Sequence, residues 1–193
     1  MKHRNLTEQQ IEKIQIDEGV LFLDFGETTE RQLAPLRGGT EVTLTATIRD
    51  IEFDGKRGKT AGLQVIDEQS AVVKAKSLCC SQEDLALAIP GVVIQEENGK
   101  KVLTNPENGI IKPEKYLKNA TIFALLIDGS YKKITIFNAM HEGSFNFKAA
   151  QKSENEHSLE LIAHFKPTDG GEGKLWKIEE IDDIKLVTPT GGN

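Results

Sequence analysis

The sequence predicts a mainly β fold, a sandwich or a partly open barrel with one flanking helix at about residues 81–89. Several short segments alternate apolar and polar side chains with a period of two. Turn signals rich in Gly and Asp separate these segments at short intervals, and only one segment carries a well-capped helical pattern. The 193 residues suffice for one sizeable domain. We therefore expect an N-terminal arm (1–18) that becomes ordered on assembly, a single β domain (19–187) and a disordered tail (188–193).

The N-terminal arm is predicted to contain a short helix. Thr7 can cap this helix together with Gln10, three positions further on, while Ile11 and Ile14 form its thin apolar stripe. Two apolar anchors cannot hold a helix on their own, so the arm is expected to need a neighbour to pack against. A buried strand is predicted to begin directly after the arm, at residues 19–25.

A loop and a half-buried strand are predicted next. Residues 26–39 are polar and contain Pro35 and the pair Gly38-Gly39, which is typical of a long loop. Residues 41–49 show the cleanest alternation in the chain, with Val, Leu, Ala and Ile on one face and Thr and Arg on the other. A period of two with β-branched residues predicts a strand that is buried on one face.

This strand is predicted to turn back as a hairpin. Its alternation continues through Ile51 and Phe53 and then meets Asp54-Gly55, a strong hairpin signal. Residues 63–66 can form the returning strand, and residues 70–79 a further strand with small apolar side chains on one face. The polar residues between the two strands therefore form the tip of a hairpin.

The clearest helical segment follows, and the second half of the chain is predicted to be strand after strand. Ser81 is a suitable N-cap, Glu83 and Asp84 favour the positive end of the helix dipole, and Pro90-Gly91 ends the helix. The later strands are predicted at residues 116–127 and 132–138 around the turn Asp128-Gly129-Ser130, at 145–149, at 159–165, and at 174–178, which can pair with 159–165 across the loop 167–173.

The charge balance argues against a protein that grips DNA. The chain has 30 acidic and 24 basic residues, a formal net charge of −6, and they are interleaved along most of its length. A DNA-binding protein usually carries a basic stripe that displaces counterions from the phosphates. The acidic cluster at residues 179–183 is interpreted as a solvated edge, with a functional acidic surface as the alternative. No secretory signal or membrane-spanning run is recognised, so we expect synthesis in a cytoplasm and no membrane partner.

No constellation of residues predicts catalysis, a metal site or a cofactor. Cys79 and Cys80 are adjacent and point to opposite faces of a strand, so they are expected to be free structural thiols. The four histidines are interpreted as surface or edge residues, and His157 and His164 lie too far apart along a strand to share a metal. Trp176 is expected to anchor the core rather than to stack on a sugar.

Six segments occur in an order and spacing that are specific together, although each is weak alone. They are Asp17–Gly26 (DEGVLFLDFG), Thr29–Pro35 (TERQLAP), Arg37–Gly39 (RGG), Ile48–Thr60 (IRDIEFDGKRGKT), Leu85–Gly91 (LALAIPG) and, more loosely, Leu175–Ile178 (LWKI). In this order the chain resembles the major tail proteins, or tail tube proteins, of long-tailed (siphovirus-type) phages and prophages. The resemblance is dense from residue 17 to residue 91, and the Cys79-Cys80 pair departs from the family pattern.

The resemblance implies a tube-forming β fold, related to the tubes of contractile tails and of type VI secretion. Members of the family form hexameric rings that stack into the tail, surround a tape-measure protein and guide DNA during ejection. The implied partners are copies of the chain itself, a tape-measure protein, and the tail terminator and distal tail proteins, with DNA as a transient, non-specific cargo. The implied location is the virion tail, after synthesis in a host bacterial cytoplasm.

Stacked rings require projecting segments that reach other subunits. The predicted inter-subunit contacts are the arm residues Thr7, Ile11 and Ile14 and the hairpin-tip residues Asp54, Gly55, Lys56, Arg57, Gly58 and Lys59. The three basic tip residues are expected to pair with acidic residues of a neighbour, and the loop 26–39 is the next candidate. A channel wall with more Asp and Glu than Lys and Arg would repel phosphates and let DNA pass.

Two other classes of function remain open from the sequence. One is a different tail component of similar fold, such as a terminator or an adaptor, or a secreted tube-like protein. The other is an enzyme or a carbohydrate-binding module on a β scaffold, which glycan binding by Trp176 would support and full burial of its ring would weaken.

Overall fold

The computed structural model describes residues 6–17, 19–106, 108–148, 151, 154–170 and 173–186. It is mainly β, with 46% strand and 10% helix, and its sheets do not close into a barrel, which confirms the predicted sandwich with few helices. The predicted disordered tail at 188–193 lies outside the described residues. The helices are α1 (Glu8–Glu12) and α2 (Gln82–Leu87), with 3₁₀ turns at Pro113–Lys115 and Pro167–Asp169. The strands are β1 (Val20–Leu23), β2 (Arg31–Gln32), β3 (Leu36–Asp50), β4 (Gln64–Ser77), β5 (Val93–Glu97), β6 (Lys100–Thr104), β7 (Leu117–Leu125), β8 (Tyr131–His141), β9 (His157–Ile162) and β10 (Trp176–Ile181).

Eight of the strands hydrogen-bond in one antiparallel path that divides at β8 into two sheets. The first sheet has the order β2-β1-β7-β8-β10, and the second has the order β3-β4-β9. Strand β8 joins them, because most of it pairs with β7 and β10 whereas Met140 and His141 at its end pair with β9. Strands β3 and β10 each have one hydrogen-bonded neighbour and therefore form open edges, and β5 and β6 form a separate hairpin.

The core lies between the two sheets and is lined by one face of each. On the first sheet Leu21 pairs with Ile122, and on the second Val73 pairs with Leu161; all four side chains are at most 4% exposed. Burial of one such side chain contributes about 1.5–3 kcal/mol. The alternating apolar residues predicted from the sequence are therefore what joins the two sheets.

The opposite face of the first sheet is covered by its own turn. The ring of Phe123 is fully buried and meets Phe22 and Phe25 edge-on, at centroid distances of 5.7 and 4.8 Å. The side-chain amide of Asn119 accepts a hydrogen bond from the Phe25 amide and donates one to the Phe25 carbonyl, both at 2.9 Å. The turn after β1 is thereby held on the sheet.

The predicted long loop at 26–39 is partly wrong. It contains the short strand β2, and Gly38 and Gly39 lie inside β3, at a register shift between Leu36 and Thr40. Both glycines have φ near +77°, at 78° and 76°, which other residues rarely adopt. In a sequence, a Gly pair usually indicates a turn, but glycines also occur in the bulges that bend a strand.

Two predictions for the second half are also wrong, and one element was missed. Residues 144–148 form no strand, and β10 pairs with β8 rather than with β9. The missed element is the β5–β6 hairpin, which closes at Asn98-Gly99. An alternating pattern identifies a strand but does not specify its partner, which depends on where the chain returns to the sheet.

Helix α2 is confirmed with the predicted cap. The Ser81 Oγ accepts a hydrogen bond from the Asp84 amide at 3.1 Å and donates one to the Asp84 carboxylate at 2.8 Å. Asp84 is only 6% exposed and also receives a hydrogen bond from Arg31 at 2.6 Å. The helix is therefore attached to strand β2 through an ion pair whose carboxylate is buried and whose guanidinium side chain is partly exposed.

The burial of His141 predicts a loss of stability in mild acid. The side chain is 3% exposed, its Nδ1 accepts a hydrogen bond from the Glu160 amide at 2.9 Å, and its Nε2 is buried without a partner among the described residues. Burial lowers the pKa of His141 below its ordinary value of 6.5. Between pH 6.5 and that lower value the unfolded chain binds the proton more readily, so the free energy of unfolding falls as the pH falls.

Urea unfolding at pH 7.5 and pH 5.5 measures this effect. We expect His141→Asn, which keeps an acceptor for the Glu160 amide but cannot be protonated, to lose stability less steeply between the two values than the natural chain. Equal slopes for both chains would show that His141 is not the responsible group. His164→Asn is the matched control, because His164 is half-buried and pairs with Glu142 at 2.7 Å.

Candidate inter-subunit surfaces

The hairpin formed by β3 and β4 projects beyond the core. The core contacts of β4 begin at Ala71, which pairs with Leu44, and no residue in the range 45–69 is buried. At about 3.3 Å per residue, the strand portions of this range extend roughly 20 Å past the core. We call residues 45–69 the projecting hairpin.

The projecting hairpin exposes large apolar side chains. Ile48 and Ile66 are direct cross-strand partners and are 59% and 54% exposed. Ile51, Phe53 and Val65 are also exposed on the same projection, Phe53 at 57%. Single exposed apolar residues are ordinary, but a concentration of them on one projecting element marks a contact surface.

The predicted basic tip is present, but two of its three cations already have partners within the hairpin. The Lys56 Nζ donates a hydrogen bond to the Ile51 carbonyl at 2.9 Å, and the Lys59 Nζ lies 3.9 Å from an oxygen of Asp50. Gly55, at φ 91°, forms the predicted turn, and the Lys56 amide donates a hydrogen bond to the Phe53 carbonyl across it. The tip prediction did not include the exposed apolar residues of the hairpin, such as Ile48, Phe53 and Ile66.

The N-terminal arm forms the predicted capped helix. The Thr7 side chain accepts a hydrogen bond from the Gln10 amide at 3.3 Å, and the Gln10 side chain accepts one from the Thr7 amide at 3.0 Å, which is a capping box. Ile11 and Ile14 are 39% and 44% exposed, and Leu6 is 64% exposed. The apolar stripe of the arm is thus largely uncovered in the single chain.

The segment after α1 packs on its own subunit, whereas the dependence of the arm helix on a neighbouring subunit stays a prediction. Gln15 forms an antiparallel bridge with Leu126, and the Ile16 amide donates to the Leu125 carbonyl at 3.0 Å. The Ile127 amide donates in turn to the Ile14 carbonyl at 3.0 Å. Backbone hydrogen bonds to the end of β7 therefore hold the arm, which apolar periodicity does not reveal.

A lysine fixes the arm to two other elements. The Lys13 ammonium contacts the carboxylates of Asp128, at 2.5 Å, and Glu180. These hydrogen bonds raise the pKa of Lys13 and lower the pKa of both carboxyl groups. Glu180 also binds Lys132 at 2.9 Å. Part of the acidic cluster at 179–183 thus pairs with lysines. These lysines are distant in the sequence, so the pairing could not be predicted from it.

The open edge at β10 carries exposed apolar residues. Trp176 is 38% exposed and Ile178 is 45% exposed, so the expectation that Trp176 anchors the core is wrong. Both pair with residues of β8, Ile136 and Ile134, but they lie on the last strand, where the sheet ends. An unpaired strand edge with apolar side chains is an adhesive surface for another chain.

The second sheet has a polar face opposite the core. Glu41, Lys74 and Glu160 lie side by side across β3, β4 and β9, and the Lys74 Nζ is 3.2 Å from Glu160. Lys76 and Glu68 lie on the same face by register. This face therefore combines three carboxylates with two ammonium groups.

The histidine interpretation needs correction as well. His141 and His157 are 3% and 2% exposed, not surface residues, and the fold brings His157 next to Cys80. Both cysteines are free thiols. Within the described ranges, no group of three or more His, Cys, Asp or Glu side chains is placed to hold a metal, and neither helix is long and apolar enough to span a bilayer.

Comparison with known proteins gives weak structural similarities. No protein-family model and no curated protein sequence matches the chain. The fold is similar to a chain in the virion of a native gene transfer agent particle, with a TM-score of 0.41 and 14% identity over 77% of this chain and 92% of that chain. It is also similar to a chain in the tail of an empty gene transfer agent particle with C6 symmetry, with a TM-score of 0.41, 12% identity and the same coverages. Similarities of this size do not establish a family or a shared function.

Proposed function

We propose that the chain is a non-enzymatic structural subunit of a phage tail tube, which assembles into stacked, hexameric rings around a channel for DNA. The observation that carries this proposal is the projecting hairpin, whose exposed residues include Ile48, Ile66 and Phe53. A monomer gains nothing from holding these side chains in water, whereas a second subunit would bury them at about 25 cal/mol per Å² of apolar surface. The ordered segments that resemble tail tube proteins support the same function.

Ring formation requires two different surfaces on each subunit, so that one meets the other on the next copy. The open edges at β3 and β10 lie on different sheets of the sandwich and supply such a pair. The projecting hairpin and the arm, with Ile11 and Ile14, then contact the adjacent ring. Thr7 maintains the arm helix, and the tip residues from Asp54 to Lys59 set the shape of the hairpin turn.

The polar face of the second sheet lines the channel in this proposal. Its carboxylates Glu41, Glu68 and Glu160 outnumber Lys74 and Lys76, so the wall repels phosphates slightly and retains a layer of water. A helical reconstruction of assembled tubes tests this assignment directly. A strongly positive channel, or a channel lined by another face, would contradict it.

Assembly of the purified chain is the decisive experiment. Negative-stain microscopy over a series of protein concentrations is expected to show hollow tubes. Single rings that never stack would indicate a terminator or adaptor, and a chain that stays monomeric at every concentration would reject the proposal.

Exposure of Trp176 favours one alternative function, a carbohydrate-binding module. An indole that is 38% exposed at a sheet edge can stack on a sugar ring. Titration with oligosaccharides, followed by the fluorescence of this single tryptophan, distinguishes the two functions. A saturating change would support sugar binding, while a spectral shift that follows tube assembly would place Trp176 in an interface.

Deletion of residues 1–18 is expected to leave a folded chain that does not form tubes. None of the arm residues 6–17 is buried, so their removal leaves the core intact, yet it removes Ile11 and Ile14. Circular dichroism and thermal unfolding check the fold, and microscopy checks assembly. Deletion of residues 1–5 alone, which keeps the capping box at Thr7, is the control. Normal tubes from the longer deletion would show that the arm has no role in assembly.

A further inference from the structure

An exposed thiol lies against a buried imidazole at the junction between β4 and α2. Cys80 is an exposed residue, and its Sγ lies 3.3 Å from the Nε2 of His157, which is only 2% exposed. The rings of Phe145 and Phe147 stack on the imidazole, with centroid distances of 5.5 and 6.2 Å and interplanar angles of 23°. The imidazole is therefore shielded from water and directed at the sulfur.

The neighbouring amide defines which nitrogen of His157 accepts a proton. The Asn155 Oδ1 accepts a hydrogen bond from the Lys148 amide at 3.2 Å, which turns the Asn155 Nδ2 toward His157 Nε2 at 3.4 Å. An amide nitrogen only donates, so Nε2 is the unprotonated nitrogen and Nδ1 carries the hydrogen. That Nδ1 is buried and has no partner among the described residues. The lone pair of His157 Nε2, which the Asn155 amide shares, thus also lies within reach of the Cys80 thiol.

The structure assigns Cys80 as a site of reversible thiol modification, with His157 as the proton acceptor and Asn155 as a positioning residue. The co-reactant is a low-molecular-weight disulfide such as oxidised glutathione. The Cys80 thiol transfers its proton to His157 Nε2 as its sulfur attacks one sulfur of the disulfide. The disulfide bond breaks, a bond forms to Cys80, and the departing thiolate takes the proton back from the imidazolium. Cys80 is oxidised and the departing sulfur is reduced, so electrons and protons balance.

The adjacent cysteine lacks these features. Cys79 is partly buried, and no imidazole faces it among the described residues. Its backbone amide donates to the Ser77 Oγ at 3.2 Å, and its side chain is hydrogen-bonded to the Asp84 carboxylate. The two thiols therefore act as an internal comparison in one molecule. This inference is independent of tube assembly.

The test follows the reaction of the full-length chain with oxidised glutathione at pH 7 by mass spectrometry with peptide mapping. We expect a single adduct, on Cys80, at the same rate in the natural chain and in Cys79→Ser. His157→Gln, which keeps a hydrogen-bond partner but removes the base, should slow the reaction about tenfold or more. His164→Gln is the matched control and should not change the rate. An unchanged rate in His157→Gln, or equal modification of Cys79, would overturn the assignment.

A second measurement needs no substitution and covers the case in which His157→Gln does not fold. The natural chain is treated with the same disulfide when native and when unfolded in urea. Since unfolding separates Cys80 from His157, native Cys80 is expected to react about tenfold faster than unfolded Cys80. If the unfolded thiol reacts as fast as the native one, His157 does not activate it.

Discussion

Replacement of both Ile48 and Ile66 by aspartate is expected to abolish tube growth while the monomer stays folded. The two side chains are cross-strand partners, 59% and 54% exposed, at a place where the hairpin has left the core. Their exchange for carboxylates removes apolar contact area and leaves two charges to be desolvated in any interface. A loss of about 2 kcal/mol or more in the free energy of association per subunit contact raises the protein concentration needed for assembly roughly thirtyfold.

Sedimentation velocity and microscopy measure the expected loss of assembly, and thermal unfolding checks the fold. Ile110→Asp is the matched control, because Ile110 is 64% exposed on a loop far along the chain from the hairpin. This variant should form normal tubes. Tubes from the double variant at the natural concentration would show that the projecting hairpin does not carry the interface.

Replacement of Phe123 by alanine is expected to lower the free energy of unfolding by about 3–5 kcal/mol. Its ring is fully buried between Phe22 and Phe25, so the truncation leaves a cavity that these neighbours fill only in part. A domain of this kind is stable by only about 5–15 kcal/mol in total. The variant should therefore unfold at clearly lower urea concentration and temperature.

Phe53→Ala is the counterpart that separates stability from assembly. Phe53 is 57% exposed on the projecting hairpin, so the same truncation should change the free energy of unfolding by no more than about 0.5 kcal/mol. It should instead weaken tube formation. A large loss of stability in Phe53→Ala would mean that the hairpin packs on the monomer in solution.

Local signals in the sequence predicted local structure well. The capping residues Thr7 and Ser81, the turn at Asp54-Gly55 and the alternating strand at 41–49 all have the predicted conformation. Each depends on neighbours within a few residues, where propensity and hydrogen bonding act directly. The candidate interface residues of the arm and the tip are exposed except for Lys56, and their contacts with other subunits stay predictions.

Signals that depend on distant residues were less reliable. The alternation at 174–178 predicted a strand, but it did not predict that β10 ends the first sheet and leaves Trp176 exposed. The spacing between Cys80 and His157 gave no sign that the two side chains touch. In the sequence, the apolar residues of the projecting hairpin fit a strand that is buried on one face. The core ends near Ala71, so that these residues lie beyond it.

The sequence alone determined the mainly β class, the caps, the central hairpin turn and an acidic balance that does not favour tight binding of DNA, since each follows from composition or from residues close in the chain. Only the tertiary structure decided which faces are covered, which edges stay open and which side chains meet. The burial of a face depends on which strands and sheets pack against it. Alternation of apolar side chains with a period of two is the same for a face that packs on the core and for a face that is exposed in the single chain.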